Sequence, residues 1–216
     1  MRRRVVIIAV LFCLALVPAL AQKNKKGWIE LFNGKDLSGW RLRKADGPNG
    51  WKVLPDGVYG NTKPSTDLVT GQEFYDFQLH VEFKLVPETN AGVYLRDRYE
   101  VQIFDSFGKP ISESGCGALY RRTPPVENSC GPVGEWQSFD ITFVGQRLTV
   151  EHNGKLIQNN IDVGPKGTGG SSQRDDAPGP LRLQGDHGSL SFRNVRIRPL
   201  SDSDAKKVLK ELEKRH

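Results

Sequence analysis

The stretch FQLHVEFKLV, residues 77–86, alternates without a break: Phe77, Leu79, Val81, Phe83 and Leu85 against Gln78, His80, Glu82 and Lys84. Successive side chains on a strand point to opposite faces, so a period of two makes one face apolar and the other wet. Such a strand cannot stand alone, because its apolar face needs a second layer to cover it. The pattern recurs in SFDITFV (138–144) and in RLTVEHNGKLIQ (147–158), where Asn153-Gly154 supplies the positive φ angles of a tight primed hairpin turn. LRLQ (181–184) and LSFRNVRIRPL (190–200) read as two closing strands. Gly and Pro punctuate the intervals and no long helical pattern interrupts them, which predicts an all-β sandwich of two antiparallel sheets.

The ends of the chain fall outside that pattern. MRRR followed by VVIIAVLFCLALVP and the small-x-small ALA at 19–21 reads as a signal peptide, 1–21, cleaved on export to the periplasm or medium. Its apolar run is too short for a membrane-spanning helix, so no stable membrane insertion is expected after cleavage. Residues 22–27 read as a flexible N-terminus, 28–200 as the sandwich domain, and 201–216 as a charged C-terminal helix or tail with Val208, Leu209 and Leu212 at helical spacing. GPKGTGGSSQRDDAPGP (164–180) is a long Gly/Ser/Pro-rich loop of the kind that covers a site or moves freely.

Charge and cysteine content exclude some functions. The formal charge of +6 includes Arg2, Arg3 and Arg4, so the mature chain is near 6 − 3 = +3, and its basic residues are scattered without interleaved stacking aromatics. Nucleic acid is therefore not an expected partner. Beyond the leader only Cys116 and Cys130 remain, too few for a zinc or iron–sulfur set without histidine neighbours. In an oxidising compartment they are expected to pair as a disulfide, closing a short loop and contributing about 3 kcal/mol by chain entropy.

RDRYEVQIFDS (96–106) carries the chemistry. As a strand it turns Tyr99, Val101 and Ile103 to the core and exposes Glu100 and Gln102 on the opposite face. Five regular steps from Glu100 would face Asp105 away, so the two carboxyls share a site only if a bulge intervenes.

Five ordered blocks, ELFNGKDLSGW (30–40), NAGVYLRDRYEVQIFDS (90–106), GALYRRTPP (117–125), GEWQSFDITFVG (134–145) and LQGDHGSLSFRNVRIRPL (183–200), resemble the 3-keto-disaccharide hydrolase family. The match runs from about residue 28 to residue 200. The resemblance implies a concanavalin A-like jelly roll whose concave sheet cradles sugars, and exported enzymes acting on glycosides oxidised at carbon 3. Some glucanases of that fold carry Glu-x-Asp-x-x-Glu on a groove strand; this chain has Glu100-x-Gln102-x-x-Asp105. A neutral centre and a shorter far acid suit double displacement poorly, since that route needs two carboxyls about 5–5.5 Å apart.

The family resemblance implies another use for these groups. A ketone at carbon 3 acidifies the hydrogen on carbon 2; its removal lets the glycosidic oxygen leave by β-elimination, and water then adds. The step needs a base, a group to hold the enolate and an acid for the departing oxygen. Glu100 or Asp105 is the candidate base, Arg96, Arg98 or His187 the enolate holder, and Tyr120 or His187 the acid. Gln102 and Gln184 would grip hydroxyls, since an amide both donates and accepts. Asp186 would orient His187 or bind a cation. Related folds carry structural calcium, and a divalent ion could steady an enolate, but no loop here has fixed ligand spacing. A substrate already oxidised at carbon 3 implies an upstream sugar 3-oxidoreductase as functional partner. Two other functions stay open: a lectin-like carbohydrate-binding module, and a conventional glycosidase on unoxidised glucans. At least three of Trp28, Trp40, Trp51 and Trp136 are expected to be structural, and Asp36 to bond its own turn.

Overall fold

A computed structural model describes residues 27–168 and 177–214. The expected leader, the first part of the flexible N-terminus and the middle of the 164–180 loop lie outside the described residues. Among the described residues no helix is long and apolar enough to cross a membrane.

The described chain forms thirteen strands and a C-terminal helix: β1 (Ile29–Glu30), β2 (Trp40–Leu42), β3 (Trp51–Val53), β4 (Tyr59–Asn61), β5 (Leu68–Phe74), β6 (Phe77–Leu85), β7 (Asn90–Leu95), β8 (Tyr99–Phe104), β9 (Trp136–Val144), β10 (Arg147–His152), β11 (Lys155–Asp162), β12 (Gly179–Leu183), β13 (Leu190–Pro199) and α1 (Asp202–Leu212). The larger sheet runs β11-β10-β9-β6-β13-β4-β3, with β1 also paired to β13, and the smaller runs β2-β5-β12-β7-β8. Every pairing is antiparallel.

The alternation of 77–86 becomes β6, whose residues are buried and half-buried in strict turn. Phe77, Leu79, Val81, Phe83 and Leu85 meet Ala91, Val93 and Leu95 of β7, Tyr99, Val101 and Ile103 of β8, and Leu181 and Leu183 of β12 in one core. The expected primed turn is present, with Asn153 at φ 53 and Gly154 at φ 76. In β13 the alternation fails at Asn194. There φ is 49 and the register to β6 shifts between Arg193 and Arg196, which returns Val195 and Ile197 to the core after Phe192. Ser201 caps α1, accepting from Asp204 N at 3.2 Å, and the helix lays Ala205 and Leu212 against the protein.

Trp40 and Trp51 are core residues whose indole N–H groups donate to Leu31 O (2.6 Å) and Thr66 O (2.8 Å). Trp28 lies beside Arg196, and Trp136 between Lys84 and Arg193, all carried by the larger sheet and the segment leading into it. Asp36 closes its own turn, accepting from Ser38 N at 2.8 Å. Cys116 and Cys130, the expected disulfide partners, are free thiols in this structure, both buried. Cys130 Sγ has backbone carbonyl partners of its own, Gly131 O at 3.4 Å and Phe104 O at 3.6 Å.

Candidate active site on the smaller sheet

The outward face of the smaller sheet is built from every second residue of three neighbouring strands. The register sets Tyr94 opposite Glu100, Gly92 opposite Gln102, and Arg182 opposite Tyr94. Residues opposite one another in an antiparallel pair share a face, so Gly92, Tyr94, Glu100, Gln102 and Arg182 lie together, with Gln184 two steps beyond Arg182.

Glu100 and Gln102 were expected to be exposed in the groove; they are on that face but 3% and 2% exposed. Two features cover them. Gly92 leaves room for the carboxylate to lie across β7: a Cβ there would sit 2.4 Å from Glu100 Oε1 and 2.7 Å from its Cγ. The outer edge of β8 is also sealed. Gln102 N donates to Ala118 O (2.9 Å), Tyr120 N to Glu100 O (3.0 Å), Glu100 N to Thr168 Oγ1 (2.6 Å) and Thr168 N to Arg98 O (2.7 Å). No bare strand edge remains there. Replacing Gly92 with Ala should therefore displace the Glu100 carboxylate. We expect about 1–3 kcal/mol of destabilisation in a denaturant melt.

Hydrogen bonds reach Glu100 from two sides. Tyr94 bonds its carboxylate, and the Gln102 amide lies 3.1 Å from Glu100 Oε1, its nitrogen donating there and to Ala91 O when turned toward them. Burial raises the Glu100 pKa to about 7, against the lowering effects of Tyr94, Arg182 and His187. Burial likewise pushes the Tyr94 phenol up, so Tyr94 is a standing hydrogen-bond donor.

Arg182 lies 3.4 Å over the Tyr94 ring and is 3% exposed. Its Nη1 pairs with Asp67 Oδ2 at 2.8 Å and its Nε with Asp97 Oδ1 at 2.5 Å. The second Asp67 oxygen accepts from Gly185 N at 3.0 Å. Asn61 Nδ2 holds Gly185 O (2.9 Å) and Gly188 O (3.1 Å), so the GDHG turn is fastened at both ends. Gly188 is required there, since a Cβ would meet Asn90 O at 2.5 Å. That turn presents His187, more than half exposed, whose Nδ1 contacts the Asp186 carboxylate and lies 3.2 Å from Gln184 Nε2. Gln184 Nε2 in turn lies 3.4 Å from the Tyr94 hydroxyl. A polar chain thus runs from Asp186 through His187, Gln184 and Tyr94 to Glu100. Among the described residues, buried polar atoms of this cluster without a hydrogen-bond partner include Arg182 Nε and Nη2 and Gln184 Oε1.

Of the residues expected from sequence, Glu100, Gln102, Gln184 and His187 come together, and Tyr120 sits directly across from Glu100 in the edge pairing. Asp105 does not join them. The β7–β8 ladder continues without a bulge from Leu95↔Tyr99 to Asn90↔Phe104, so the parity argument holds, and Asp105 Oδ2 instead accepts from Glu88 N at 3.1 Å. Arg96 is also elsewhere. Arg96 (φ 53) and Asp97 (φ 56) are the central residues of a turn closed by Arg98 N to Leu95 O, which sends Arg96 to Tyr75 O (2.8 Å), Asp76 and the faces of Tyr75 and Phe143. Arg98 reaches Pro165 O at 3.2 Å, tying β8 to the segment after β11. Sequence reasoning missed Asp67, Gly92, Tyr94 and Arg182. The alternations NAGVYL and LRLQ already place Tyr94 with Gly92, and Arg182 with Gln184, on the non-core face. Among the described residues no three His, Cys, Asp or Glu side chains converge to hold a metal ion.

Comparison with known proteins fits this arrangement. Residues 27–198 match the 3-keto-alpha-glucoside-1,2-lyase-like domain. The chain belongs to that family. A 3-keto-disaccharide hydrolase from Bacteroides thetaiotaomicron is 25% identical over 150 residues, covering 53% of this chain and 52% of that protein. The chain thus spans about half the length of that relative. A solved structure from Parabacteroides distasonis, provisionally called a glycosyl hydrolase, is 32% identical with a TM-score of 0.70, covering 81% of this chain and 84% of the other. A Bacillus licheniformis β-glucanase shares the fold at 10% identity and a TM-score of 0.52, over 81% of this chain and 97% of its own. The family member described here is therefore a concanavalin A-like jelly roll whose smaller sheet carries the Glu100 cluster.

Proposed function

We propose that this protein cleaves glycosides oxidised at carbon 3, with Glu100 as the base that removes the proton from carbon 2. The observation that carries the reading is a buried carboxylate poised near neutrality, hydrogen-bonded to Tyr94 and Gln102 and beside the guanidinium of Arg182. A base near pH 7 combines a large ionised fraction with useful proton affinity. Family membership supports the substrate class. With Asp67 and Asp97 taken up by Arg182 and Asp186 by His187, Glu100 is the carboxylate left for proton transfer, which suits elimination better than double displacement.

In this mechanism the carbon 2 proton passes to Glu100 and the electron pair moves onto the carbon 3 oxygen. Arg182 Nη2 faces the resulting enolate charge, its other nitrogens held by Asp67 and Asp97. Collapse of the enolate breaks the bond from carbon 1 to the glycosidic oxygen, which takes a proton from His187. Asp186 accepts a hydrogen bond from Nδ1, so the proton comes from Nε2 of the imidazolium form. Water then adds at carbon 1 and gives its proton to His187 Nε2, the Glu100 proton returns to carbon 2, and the net reaction is hydrolysis. Gln184 Oε1 and Tyr120 are placed to hold sugar hydroxyls. The substrate is supplied by an upstream sugar 3-oxidoreductase, and the leader expected at 1–21 supports export of this chain to the periplasm or medium.

The test is aglycone release from a 3-keto-glucoside compared with its unoxidised parent. Release from the keto sugar alone is expected; release from the parent alone would make the protein a conventional glycosidase, and binding without turnover a lectin-like module. The pH profile adds a second check. Because Glu100 must be ionised, kcat/KM for the keto sugar should rise tenfold per pH unit up to a bend at about 7. A limb at the ordinary carboxylate value of about 4.3 would remove the buried base from the reaction.

A further inference from the structure

Cys116 and Cys130 hang from one knot of hydrogen bonds just beyond β8. Ser106 Oγ accepts from Cys116 N at 3.2 Å, and Ser106 O accepts from Asn128 Nδ2 at 2.6 Å. Asn128 Oδ1 in turn accepts from Cys130 N at 3.0 Å. The two thiols are hydrogen-bonded to each other, with Cys116 1% and Cys130 6% exposed. Nothing in the Glu100 chemistry uses them.

We propose that Cys116 and Cys130 are a redox-active dithiol, oxidised by small-molecule disulfides to an intramolecular bond, with Cys130 as the attacking sulfur and Cys116 as the resolving one. The order follows from their surroundings. Cys116 is the more enclosed, and burial holds its thiol protonated. Cys130 receives hydrogen bonds from Cys116 and Ser106, which bring it down to about 6, into the range of reactive thiolates. In the first step the Cys130 thiolate attacks one sulfur of the oxidant, forming a mixed disulfide and releasing one thiolate. Cys116 then gives its proton to solvent and attacks the Cys130 sulfur, expelling the second thiolate. Two protein thiols and one disulfide become one protein disulfide and two small thiols.

The position of the pair gives the bond a structural consequence. Gly117 N, directly after Cys116, donates to Gln102 O at 2.8 Å, and Ala118 and Tyr120 continue the pairing to Gln102 and Glu100. A bond to Cys130 staples the segment that seals the edge of the Glu100 strand. It also closes a loop of 15 residues, a size for which chain entropy predicts a rise of about 6–12 °C in the melting midpoint.

The experiment is to reduce the protein, remove the reductant and incubate it with oxidised glutathione at pH 8. Intact mass, alkylation and peptide mapping should show the loss of two hydrogens, no alkylatable thiol and one peptide joining Cys116 to Cys130. The oxidised form should melt above the reduced form. Cys116→Ser should stop at a glutathione adduct on Cys130, and Cys130→Ser should leave Cys116 as a thiol. Wild-type protein that keeps two alkylatable thiols overturns the proposal, even if neither variant folds. Capture of glutathione by Cys130→Ser as fast as by Cys116→Ser overturns the assigned order. These readouts do not depend on turnover, so they stand apart from the proposed glycoside cleavage.

Discussion

Replacing Glu100 with Gln should lower turnover of a 3-keto-glycoside by about 10²–10⁴-fold, the usual contribution of a positioned base, and yet make the protein harder to melt at pH 8. The two effects share one cause. An ionised carboxylate that is 3% exposed is costly to hold in the fold, and a neutral amide of the same shape is not. The sign follows from proton linkage. The folded value of Glu100 is about 7 against 4.5 for a free side chain. Below pH 4.5 both states are protonated and Glu100 costs nothing by this route. Between 4.5 and 7 the unfolded chain releases the proton while the folded chain keeps it, so stability falls as pH rises. Above 7 the full cost is present, about 3 kcal/mol, or up to roughly 6–12 °C in melting midpoint. The Glu100→Gln gain should therefore be present at pH 8 and absent at pH 4, as followed by circular dichroism melts. Turnover at the wild-type rate would take Glu100 out of the reaction. A melting gain equal at both pH values would show that ionisation is not its source.

Asp67→Ala should give the largest loss of stability among single changes near the site. Asp67 is 2% exposed and does two things: it neutralises Arg182 and it accepts from the backbone of the GDHG turn. Truncation leaves Arg182 buried with Asp97 alone and Gly185 N without its acceptor. Breaking a buried pair from one side costs about 3–5 kcal/mol, which for a chain of this size is roughly 6–20 °C. Asp67→Asn separates the two jobs, since an amide oxygen can still accept from Gly185 N but carries no charge. It should recover part of the loss in a denaturant melt, the remainder being the charge on Arg182. An Asp67→Ala protein that melts with wild type would mean that Asp97 alone suffices to neutralise the guanidinium.

The contrast between Glu100 and Asp105 shows how far local pattern reaches. Both are acids in one eleven-residue stretch, and the alternation around Tyr99, Val101 and Ile103 set Glu100 and Gln102 on the non-core face. It also stated the condition for Asp105, a bulge, and the regular β7–β8 ladder does not meet it. The arginines were harder to read. Arg96-Asp97 forms a turn with both φ values positive without the usual Asn-Gly, so nothing local marked Arg96 as leaving the groove. What holds it outside the groove is Tyr75, Asp76 and the ring of Phe143, the last on a different sheet.

Period-two hydrophobic alternation by itself determined the sandwich, the core and the face of β8 that carries chemistry, because side-chain direction on a strand depends only on parity. The tertiary structure alone decided which groups complete that face. Asp67, Tyr94, Arg182 and His187 come from four separate segments, and only the order β5-β12-β7-β8 brings them to Glu100. It also decided how deeply Glu100 is buried, through Gly92 and the segments sealing the β8 edge. Burial sets the proton affinity of a carboxylate, and burial is a property of everything packed around a residue, not of its neighbours in sequence.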